Sequence, residues 1–307
     1  MRSRAINTLV RRSSLIFPIN VPRFVEKAAS RGADCIIMDL EDSVPASEKA
    51  SARELVKGYL PIVGSGGSDV SVRINQPIEE AEMDLEASVW PGLTCIHLPK
   101  AESREDVLKR DRIITGLEKE RGIKPGSTQI AVAVETALGV INAYEIASAS
   151  PRIVSISVGS EDLTQEMGIQ LTKSGEELWY ARSKVLMDAN AAGVQPMGII
   201  GVEPFTFRDP ESYLEAARNS LRLGFMGAQS IHPAPIPYLN MGFSLPENLV
   251  SQMRKELDAF EKGLREGTAS VSVDGRMIDI ASAERCRRIL ERADAIEAMD
   301  KKKKLIP

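Results

Sequence analysis

An α/β fold, built as a (β/α)8 TIM barrel with a C-terminal helical extension, is predicted by three features of the sequence. Short β-branched apolar runs recur along the chain, amphipathic or alanine-rich segments separate them, and charged residues follow several of the runs. Eight such β–α repeats within about 235 residues are typical of a closed barrel, whereas open doubly wound sheets commonly need fewer strands. The predicted strands are residues 14–19, 35–40, 70–75, 95–100, 130–134, 153–158, 195–200 and 228–232.

Helices are expected between these strands because several segments carry recognisable starts and stops. Ser47 precedes Glu48 at one predicted start, Pro210 lies at the first position of another, and Gly32, Gly193 and Gly224 stand where helices should end. The glycine- and serine-rich stretch 61–69 is predicted to be a flexible turn, since it lacks the Lys-Ser/Thr ending of a phosphate-binding loop. The predicted helices are 22–31, 47–60, 140–149, 177–192 and 210–223.

Two regions are predicted, a barrel domain of residues 1–240 and a C-terminal extension of residues 241–307. A proline-rich connector leads to a charged helix at 247–266, a glycine-bearing segment at 271–280 and a last helix at 281–299. This tail is too small for an independent core, so we expect it to act as a lid over the barrel mouth or to pack onto a neighbouring subunit and contribute to that subunit's active site. The lysine run 301–304 is predicted to be a solvated end.

The bulk composition narrows the class of protein. The 307 residues carry a net charge of −4 and a pI of about 5.5, which argues against bulk attraction to nucleic acid or to an anionic membrane. Cys35 and Cys95 lie in apolar strand-like runs and Cys286 is far from both, so they are predicted to be reduced residues with no disulfide. No apolar run is long enough to span a membrane, and no signal region is evident. A soluble cytoplasmic protein is expected.

Carboxylates follow two neighbouring predicted strands. Glu135 comes directly after residues 130–134, and Asp162 comes shortly after residues 153–158. Because the carboxyl ends of parallel strands meet at the catalytic face of a barrel, these two side chains should converge. They repel each other unless a cation lies between them, and two carboxylates with open positions suit Mg²⁺. The alternative is that Glu135 and Asp162 each cap a helix and no metal is bound.

Further charged groups occupy the same predicted edge. Glu41 follows strand 2, Arg73 lies in strand 3, Lys100 ends strand 4 and His232 ends strand 8. Mg²⁺ can chelate a 2-oxo acid, and an arginine fixed on a strand can stabilise an oxyanion, which together suit reversible carbon–carbon cleavage through an enolate. Each residue also has a structural alternative: Arg73 as an ion-pair partner of Glu41, Lys100 as a counter-charge to a helix dipole, and His232 as a residue that orients a neighbour.

Motifs spread along most of the chain resemble a known family. They are RRSSLIFPINVPRFVEKAASRGAD, MDLEDSVP, VRIN, LPKAES, VETALGVINAYEIASASPRI, GSEDL, FRDPE and GFMGAQSIHP. With them, residues 12–280 resemble the citrate lyase beta-subunit-like branch of the HpcH/HpaI aldolase superfamily, which includes malyl-CoA and citramalyl-CoA lyases. The resemblance implies a Mg²⁺-dependent (β/α)8 barrel that is trimeric or hexameric and binds acyl-CoA.

The resemblance also implies roles for individual residues. Glu135 and Asp162 match the metal ligands, and Arg73 matches the arginine at the thioester carbonyl. Asp279, in the segment GRMID, matches an aspartate that reaches into the neighbouring subunit's site as acid or base. Either Glu41 or a metal-bound water is the base for the substrate hydroxyl. The predicted coenzyme A contacts are Arg12, Phe17, Pro18 and Lys100, with Arg11 beside them; Arg11 and Arg12 alternatively form a solvated edge.

The sequence therefore predicts a Mg²⁺-dependent lyase that cleaves a carboxylated 3-hydroxyacyl-CoA, of the malyl-CoA or citramalyl-CoA type, to acetyl-CoA and a 2-keto acid. Departures from the family pattern at Ile19-Asn20 and at Pro235 leave the acyl group open. Three alternatives remain: the beta subunit of a multi-subunit citrate lyase acting on a carrier-bound acyl group, a CoA-independent 2-keto acid aldolase, and a non-catalytic ligand-binding subunit.

Overall fold

The computed structural model describes residues 6, 8–202 and 208–304, and its central feature is a nearly closed barrel of eight parallel strands. From β1 to β7 each strand pairs with the next along the chain, and β1 also pairs with β8. Between β7 and β8, Gly198 N donates to Gly227 O (2.8 Å) and Met226 N donates to Pro196 O (3.0 Å), which continues the wall. All eight predicted strands are confirmed. They are β1 (Ser13–Pro18), β2 (Cys35–Asp39), β3 (Asp69–Arg73), β4 (Cys95–Leu98), β5 (Gln129–Val134), β6 (Ile153–Val158), β7 (Gln195–Met197) and β8 (Ala228–Ser230).

Ten α-helices in the described ranges follow or lie between these strands and cover the outside of the barrel. Three short 3-10 turns, Ala29–Arg31, Ala46–Glu48 and Glu176–Leu178, accompany them. The helices are α1 (Pro22–Ala28), α2 (Lys49–Gly64), α3 (Ile78–Ser88), α4 (Arg104–Glu120), α5 (Ala137–Ile141), α6 (Ala143–Ala147), α7 (Ser160–Met167), α8 (Trp179–Ala192), α9 (Ser212–Leu223) and α10 (Ile236–Gly242).

The alternation of side chains along each strand separates two environments. Outward residues such as Leu15 and Met38 join the main apolar core between the barrel and the helices, whereas Ile16 and Ile37 form a separate cluster with Cys35 inside the barrel. Inside the barrel, parallel register places Asp39, Arg73 and His97 side by side on β2, β3 and β4. The fold therefore delivers a row of ionisable groups to the carboxyl end of the barrel.

Two predicted helix boundaries were wrong, each for a local reason. Helix α2 continues to Gly64 and contains Pro61, because its last turn buries Val63 completely. Burial of that turn outweighs the backbone hydrogen bond that proline removes. The predicted helix 140–149 is two short helices instead. Thr136 caps α5 by accepting from Gly139 N (3.1 Å), and Asn142 separates α5 from α6.

Glycine is required where β8 approaches the start of β1. A Cβ built on Gly227 would lie 2.0 Å from Arg11 O, so no other residue fits between these strands. Arg11 itself spans the floor of the barrel, where it donates to Asp69 (3.1 Å) and Gln129 (2.6 Å). The three cysteines are free and buried, as predicted.

The C-terminal extension consists of α11 (Glu247–Arg265), a hairpin of β9 (Val271–Val273) and β10 (Arg276–Ile278), and α12 (Ile280–Lys304). Its contacts with the barrel lie at the amino ends of the strands. Arg292 donates to Met226 O (3.2 Å), and Lys303 donates to Asp34 (2.6 Å), directly before β2. The described part of the extension therefore does not lie over its own barrel mouth, and Lys303 is part of a buried ion-pair network, not a solvated end. None of the described helices has the length and apolar character needed to cross a membrane.

Candidate active site

Five of the predicted site residues meet at the carboxyl end of the barrel. Glu41 lies at the centre: its Oε2 is 3.0 Å from Arg73 Nη1, and its Oε1 accepts from Lys100 Nζ (2.9 Å). Lys100 also lies 3.7 Å from Asp162 Oδ1, and the negative charge of Asp162 acts on Glu135. Glu41, Arg73, Lys100, Glu135 and Asp162 therefore form one charged cluster.

Arg73 is held by a partner that the sequence reading did not assign to it. Its Nε and Nη2 donate to the two oxygens of Asp39, both at 2.7 Å, while Nη1 faces Glu41. Asp39 is fully buried and adjacent to Arg73 in the sheet register. Burial disfavours the guanidinium, but the hydrogen bonds and charge of Asp39 outweigh it and raise the pKa of Arg73. Arg73 is thus held in a fixed orientation, with Nη1 beside Glu41.

The loop that carries Glu41 is fastened from behind. Lys49 Nζ donates to Leu40 O and Glu41 O, both at 3.1 Å, and also to the Asn75 side chain. Asn75 Nδ2 donates in turn to Leu40 O (3.0 Å). Burial raises the pKa of Glu41, more than Arg73 and Lys100 lower it. The carboxyl group of Glu41 is therefore held in place by its loop, and its pKa is higher than that of an ordinary glutamate.

Glu135 is the most perturbed carboxyl group of the cluster. It is only 5% exposed, and its Oε2 is buried without a hydrogen-bond donor among the described residues. Burial, and then the charges of Asp162 and Glu41, raise the pKa of Glu135 to about 8. Gly159 makes this position possible, since a Cβ there would lie 2.4 Å from Glu135 Cγ. Glu135 does not cap the following helix, because Thr136 does so.

The donor set at Glu135 and Asp162 fits a divalent cation. An unpartnered buried oxygen and a second carboxylate, 36% exposed, face the same open end of the barrel. The described residues contain no cluster of three or more His, Cys, Asp or Glu side chains suited to a metal. A site with two protein carboxylates leaves the other positions to water and substrate, which is how Mg²⁺ is usually held beside a substrate.

Two predicted coenzyme A contacts lie elsewhere. Arg12 precedes β1 at the opposite end of the barrel, is 2% exposed and donates to Asp34 (2.8 and 2.9 Å) and Asp300 (2.5 Å). The Phe17 ring is buried in the core between barrel and helices, 6.4 Å from the Phe24 ring. Neither side chain therefore lies at the charged cluster of its own chain, which argues against a contact of either one with coenzyme A there. Pro18 does end β1 at the carboxyl edge, and its contact with coenzyme A stays a prediction.

Asp279 is not brought to the cluster within one chain. It lies directly before α12, its Oδ1 accepts from Ser282 N (2.8 Å), and this hydrogen bond lowers its pKa. Met277 and Ile280 on either side of it are 71% and 66% exposed.

His232 accepts from Ala234 N (3.1 Å) through Nδ1, in keeping with an orienting role. Residues 203–207, between β7 and α9, fall outside the described residues.

Sequence reasoning missed three further residues near the cluster. Lys49 supports Glu41, and Arg182 lies beside Glu135 in a cavity. His97 is next to Arg73 in the register, its Nε2 is buried without a partner among the described residues, and burial lowers its pKa to about 3. The signal for His97 in the sequence was its position as the polar residue between Ile96 and Leu98 in a predicted strand. Nothing in the local sequence of Arg182 distinguishes it from a surface arginine on a helix.

Comparisons with known proteins identify the family of the chain. The family model described as HpcH/HpaI aldolase/citrate lyase matches residues 12–233. A citrate lyase subunit beta of Leuconostoc mesenteroides subsp. cremoris is 35% identical over 296 residues, covering 96% of this chain and 97% of the relative. An L-malyl-CoA/beta-methylmalyl-CoA lyase of Cereibacter sphaeroides is 32% identical over 306 residues, covering 94% and 96%. The crystal structure of CitE from Mycobacterium tuberculosis in complex with magnesium, acetoacetate and coenzyme A superposes with a TM-score of 0.70 at 27% identity, covering 95% of this chain and 99% of that one.

Proposed function

The chain belongs to the HpcH/HpaI aldolase/citrate lyase family and is by that membership a carbon–carbon lyase, and we propose that it cleaves a carboxylated 3-hydroxyacyl-CoA to acetyl-CoA and a 2-oxo acid. The family and the enzyme class predicted from the sequence are thereby confirmed. One observation carries the proposal: Glu135, Asp162, Arg73 and Glu41 occupy one end of the barrel, where Glu41 lies 3.0 Å from Arg73 and the charges of Asp162 and Glu41 act on Glu135.

Glu135 and Asp162 are the residues that would hold Mg²⁺ in this proposal. The unpartnered Oε2 of Glu135 supports the assignment, as does the raised pKa that a nearby cation would lower. The relative from M. tuberculosis was crystallised with magnesium and coenzyme A. When bound, Mg²⁺ supplies Lewis-acid polarisation and a template for the carboxylate and carbonyl oxygens of the 2-oxo acid.

The protein's own residues account for the remaining steps. Glu41 accepts the proton of the substrate hydroxyl, a task that suits a carboxyl group whose pKa is raised by burial. The carbon–carbon bond then breaks, and its electron pair passes into the thioester as an enolate. Arg73 Nη1 donates to the enolate oxygen, and Asp39 holds the guanidinium so that it need not reorganise. Lys100 offsets the negative charge between Glu41 and Asp162.

Asp279 would deliver a proton to the enolate carbon from a neighbouring subunit. Its position outside the cluster of its own chain and the exposed apolar side chains of Met277 and Ile280 beside it support an intermolecular role. The proposed assembly is a homo-oligomer, a trimer or hexamer, in which each C-terminal extension completes the next site.

The direct test is Mg²⁺-dependent release of acetyl-CoA from malyl-CoA and from citramalyl-CoA by the purified chain. Arg73→Ala and Asp279→Ala should each abolish release while leaving Mg²⁺ binding intact. Co-expression of the two inactive variants should restore about a quarter of the activity, since random assembly unites an intact Arg73 with an intact Asp279 at about that fraction of sites. Normal turnover by Arg73→Ala would refute the mechanism, and absence of complementation would refute the shared site.

A second candidate is catalysis on an acyl group carried by a partner protein. The 35% identical relative is named as a subunit of citrate lyase, and Arg12 is not available to a coenzyme A phosphate. The purified chain would then fail to release acetyl-CoA from free acyl-CoA substrates, whereas a carrier-bound citryl group would be cleaved.

A further inference from the structure

A completely buried carboxylate lies behind the end of β3, outside the charged cluster. It belongs to Asp84 on α3. Its Oδ2 accepts from the backbone N and from the side-chain Nδ2 of Asn75, both at 2.7 Å. Its Oδ1 accepts from Arg53 Nε on α2 (2.7 Å). Both oxygens of Asp84 are therefore occupied, and one of them fixes a residue only two positions after Arg73.

Asn75 carries this contact across from β3 to the end of β2. Its Nδ2 also donates to Leu40 O (3.0 Å), and its Oδ1 accepts from Lys49 Nζ. Lys49 in turn donates to Leu40 O and to Glu41 O, both at 3.1 Å. An anion on one side and a cation on the other fix the orientation of the Asn75 amide, because its oxygen accepts and its nitrogen donates. The network therefore runs from Asp84 through Asn75 to the backbone of Glu41.

The charges of this network are placed poorly for stability alone. Lys49 is the first residue of α2, where a cation opposes the helix dipole. Its ammonium group donates to three neutral oxygens and has no carboxylate partner among the described residues. The carboxylate that its contacts reach is Asp84, on the far side of the Asn75 amide. Desolvation offsets most of what buried charges contribute to stability, so the gain from such a network lies in the positions that it fixes.

The other completely buried carboxylates in the described ranges support different parts of the fold. Asp34 and Glu118 accept from backbone N–H groups directly before β1 and β5, at the amino ends of these strands, and Glu256 lies on α11 in the extension. Asp39 belongs to the charged end of the barrel itself. Within the part of the chain that the structure describes, Asp84 is the one that holds two carboxyl strand ends from behind.

We propose that Asp84 is a positioning residue for the lyase reaction, which acts through Asn75 on the strand ends beside the charged cluster. The inference rests on the proposed function, in which Glu41 accepts the hydroxyl proton and Arg73 donates to the enolate oxygen. Leu40 N donates to Arg73 O (3.0 Å), so the two strand ends form one backbone ladder where Asn75 joins them. Because Glu41 Oε2 lies 3.0 Å from Arg73 Nη1, a shift of either strand end changes this contact directly.

Asp84→Asn is the sharpest change, because it keeps the shape of the side chain and removes its charge. An amide has one oxygen, whereas Asp84 uses one oxygen for Asn75 and the other for Arg53. The variant therefore turns an NH₂ group toward the donors of one partner, and that contact is lost. Since a displacement of about 1 Å at a catalytic group costs up to about 100-fold in rate, we expect kcat to fall by about 10- to 100-fold.

A role confined to packing makes a different prediction. Arg53 and Asp84 join α2 to α3, and a pair that served only this contact would contribute to the free energy of unfolding alone. Protein that stays folded would then turn over normally without it. Loss of positioning instead lowers kcat in folded protein. Mg²⁺ affinity should stay unchanged, because Glu135 and Asp162 follow β5 and β6, away from this network.

The test compares Asp84→Asn with Glu118→Gln in the full chain, by Mg²⁺-dependent release of acetyl-CoA from malyl-CoA and citramalyl-CoA. Glu118 is the matched control, since it is equally buried and pairs with Arg152 (2.7 Å) away from the charged cluster. Asp84→Asn should lower kcat by about 10- to 100-fold and change Mg²⁺ affinity, measured by calorimetry, by less than about 3-fold. Glu118→Gln should lower the midpoint of urea unfolding and leave kcat unchanged. An unchanged kcat in Asp84→Asn, or equal losses of kcat in both variants, would overturn the inference.

Lys49→Met changes the other end of the network and provides a second test. Lys49 is only half-buried, so this variant should fold even if the loss of the Asp84 charge is not tolerated. Its kcat should fall in the same range, and an unchanged kcat would count against the network. Because both residues act through Asn75, the double variant should lose about as much as the more affected single variant. Independent losses would multiply to roughly 100- to 10,000-fold and contradict a shared route through Asn75.

Hydrogen exchange separates this inference from the lyase reaction itself. Backbone amides of residues 40–43 and 74–76 should exchange faster in Asp84→Asn than in the wild type, and at the wild-type rate in Glu118→Gln. A wild type that releases no acetyl-CoA would contradict the proposed lyase reaction, while faster exchange confined to these segments would still support the positioning role. Unchanged exchange in both segments of Asp84→Asn would contradict the positioning role, whatever the turnover.

Discussion

The raised pKa of Glu135 predicts how the stability of the metal-free protein depends on pH. A carboxyl group with a pKa of about 8 in the folded state, against 4.5 ordinarily, binds a proton that the unfolded chain releases between those pH values. This contribution to stability is fully present below about pH 4.5 and is lost as pH rises through 8. The difference in pKa corresponds to at most about 5 kcal/mol. The Glu135→Gln variant lacks this titration and should be more stable than the wild type at pH 8.

Urea denaturation of both proteins from pH 5 to 8.5 in EDTA measures the effect. The free energy of unfolding of the wild type should fall relative to that of Glu135→Gln by several kcal/mol across this range. Asp162→Asn is the matched control. It removes the negative charge that, after burial, raises the pKa of Glu135 most, so stability should depend less steeply on pH in this variant than in the wild type. Parallel curves for wild type and Glu135→Gln would refute the assignment of a raised pKa.

Three further changes test other parts of the structure. Gly159→Ala places a Cβ within 2.4 Å of Glu135 Cγ, and should weaken Mg²⁺ binding about 10- to 100-fold in a folded protein, measured by calorimetry. Arg73→Lys loses the two-pronged contact with Asp39, and should lower kcat by about 100-fold or more while Mg²⁺ affinity is retained. Arg12→Met removes a buried partner of Asp34, and should lower the free energy of unfolding, measured by urea denaturation, by about 3 kcal/mol. The KM for the CoA thioester should stay unchanged.

Each of these has an outcome that would contradict it. Unchanged Mg²⁺ affinity in Gly159→Ala would mean that Glu135 is not a ligand. Wild-type kcat in Arg73→Lys would show that a point charge suffices and that the fixed guanidinium is not needed. Circular dichroism of each variant confirms that a loss of function is not a loss of fold.

The fold was predictable because the barrel depends on short-range patterns. Eight β-branched runs with intervening helices identified all eight barrel strands, and the ends moved by only a few residues. The boundary at Pro61 was not predictable in this way, because the decisive fact is burial of Val63 against the barrel. Likewise, Thr136 and Asn142 divide the predicted helix 140–149 through capping and a long-range contact to Glu102 O.

The charged cluster was predictable only in outline. Parallel strands bring their carboxyl ends together, so Glu41, Arg73 and Glu135 could be expected at one edge. Strand alternation does not say which acid neutralises Arg73, and the fully buried Asp39 does so while Glu41 faces the open side. Arg182 was invisible to the sequence, since a buried arginine on a helix differs from an exposed one only through its packing.

Arg12 illustrates the limit of reasoning from residue type. Arginines near a strand suit both a phosphate contact and an ion pair, and the sequence left these alternatives open together with a solvated edge. The structure places Arg12 before β1, where Asp34 and Asp300 satisfy its guanidinium and Lys303 adds a second cation on Asp34. Because α12 supplies both Asp300 and Lys303, this network joins the extension to the barrel floor. Arg12→Met should therefore loosen α12, seen as faster amide exchange at its C-terminal end, and unchanged exchange there would contradict the network's structural role.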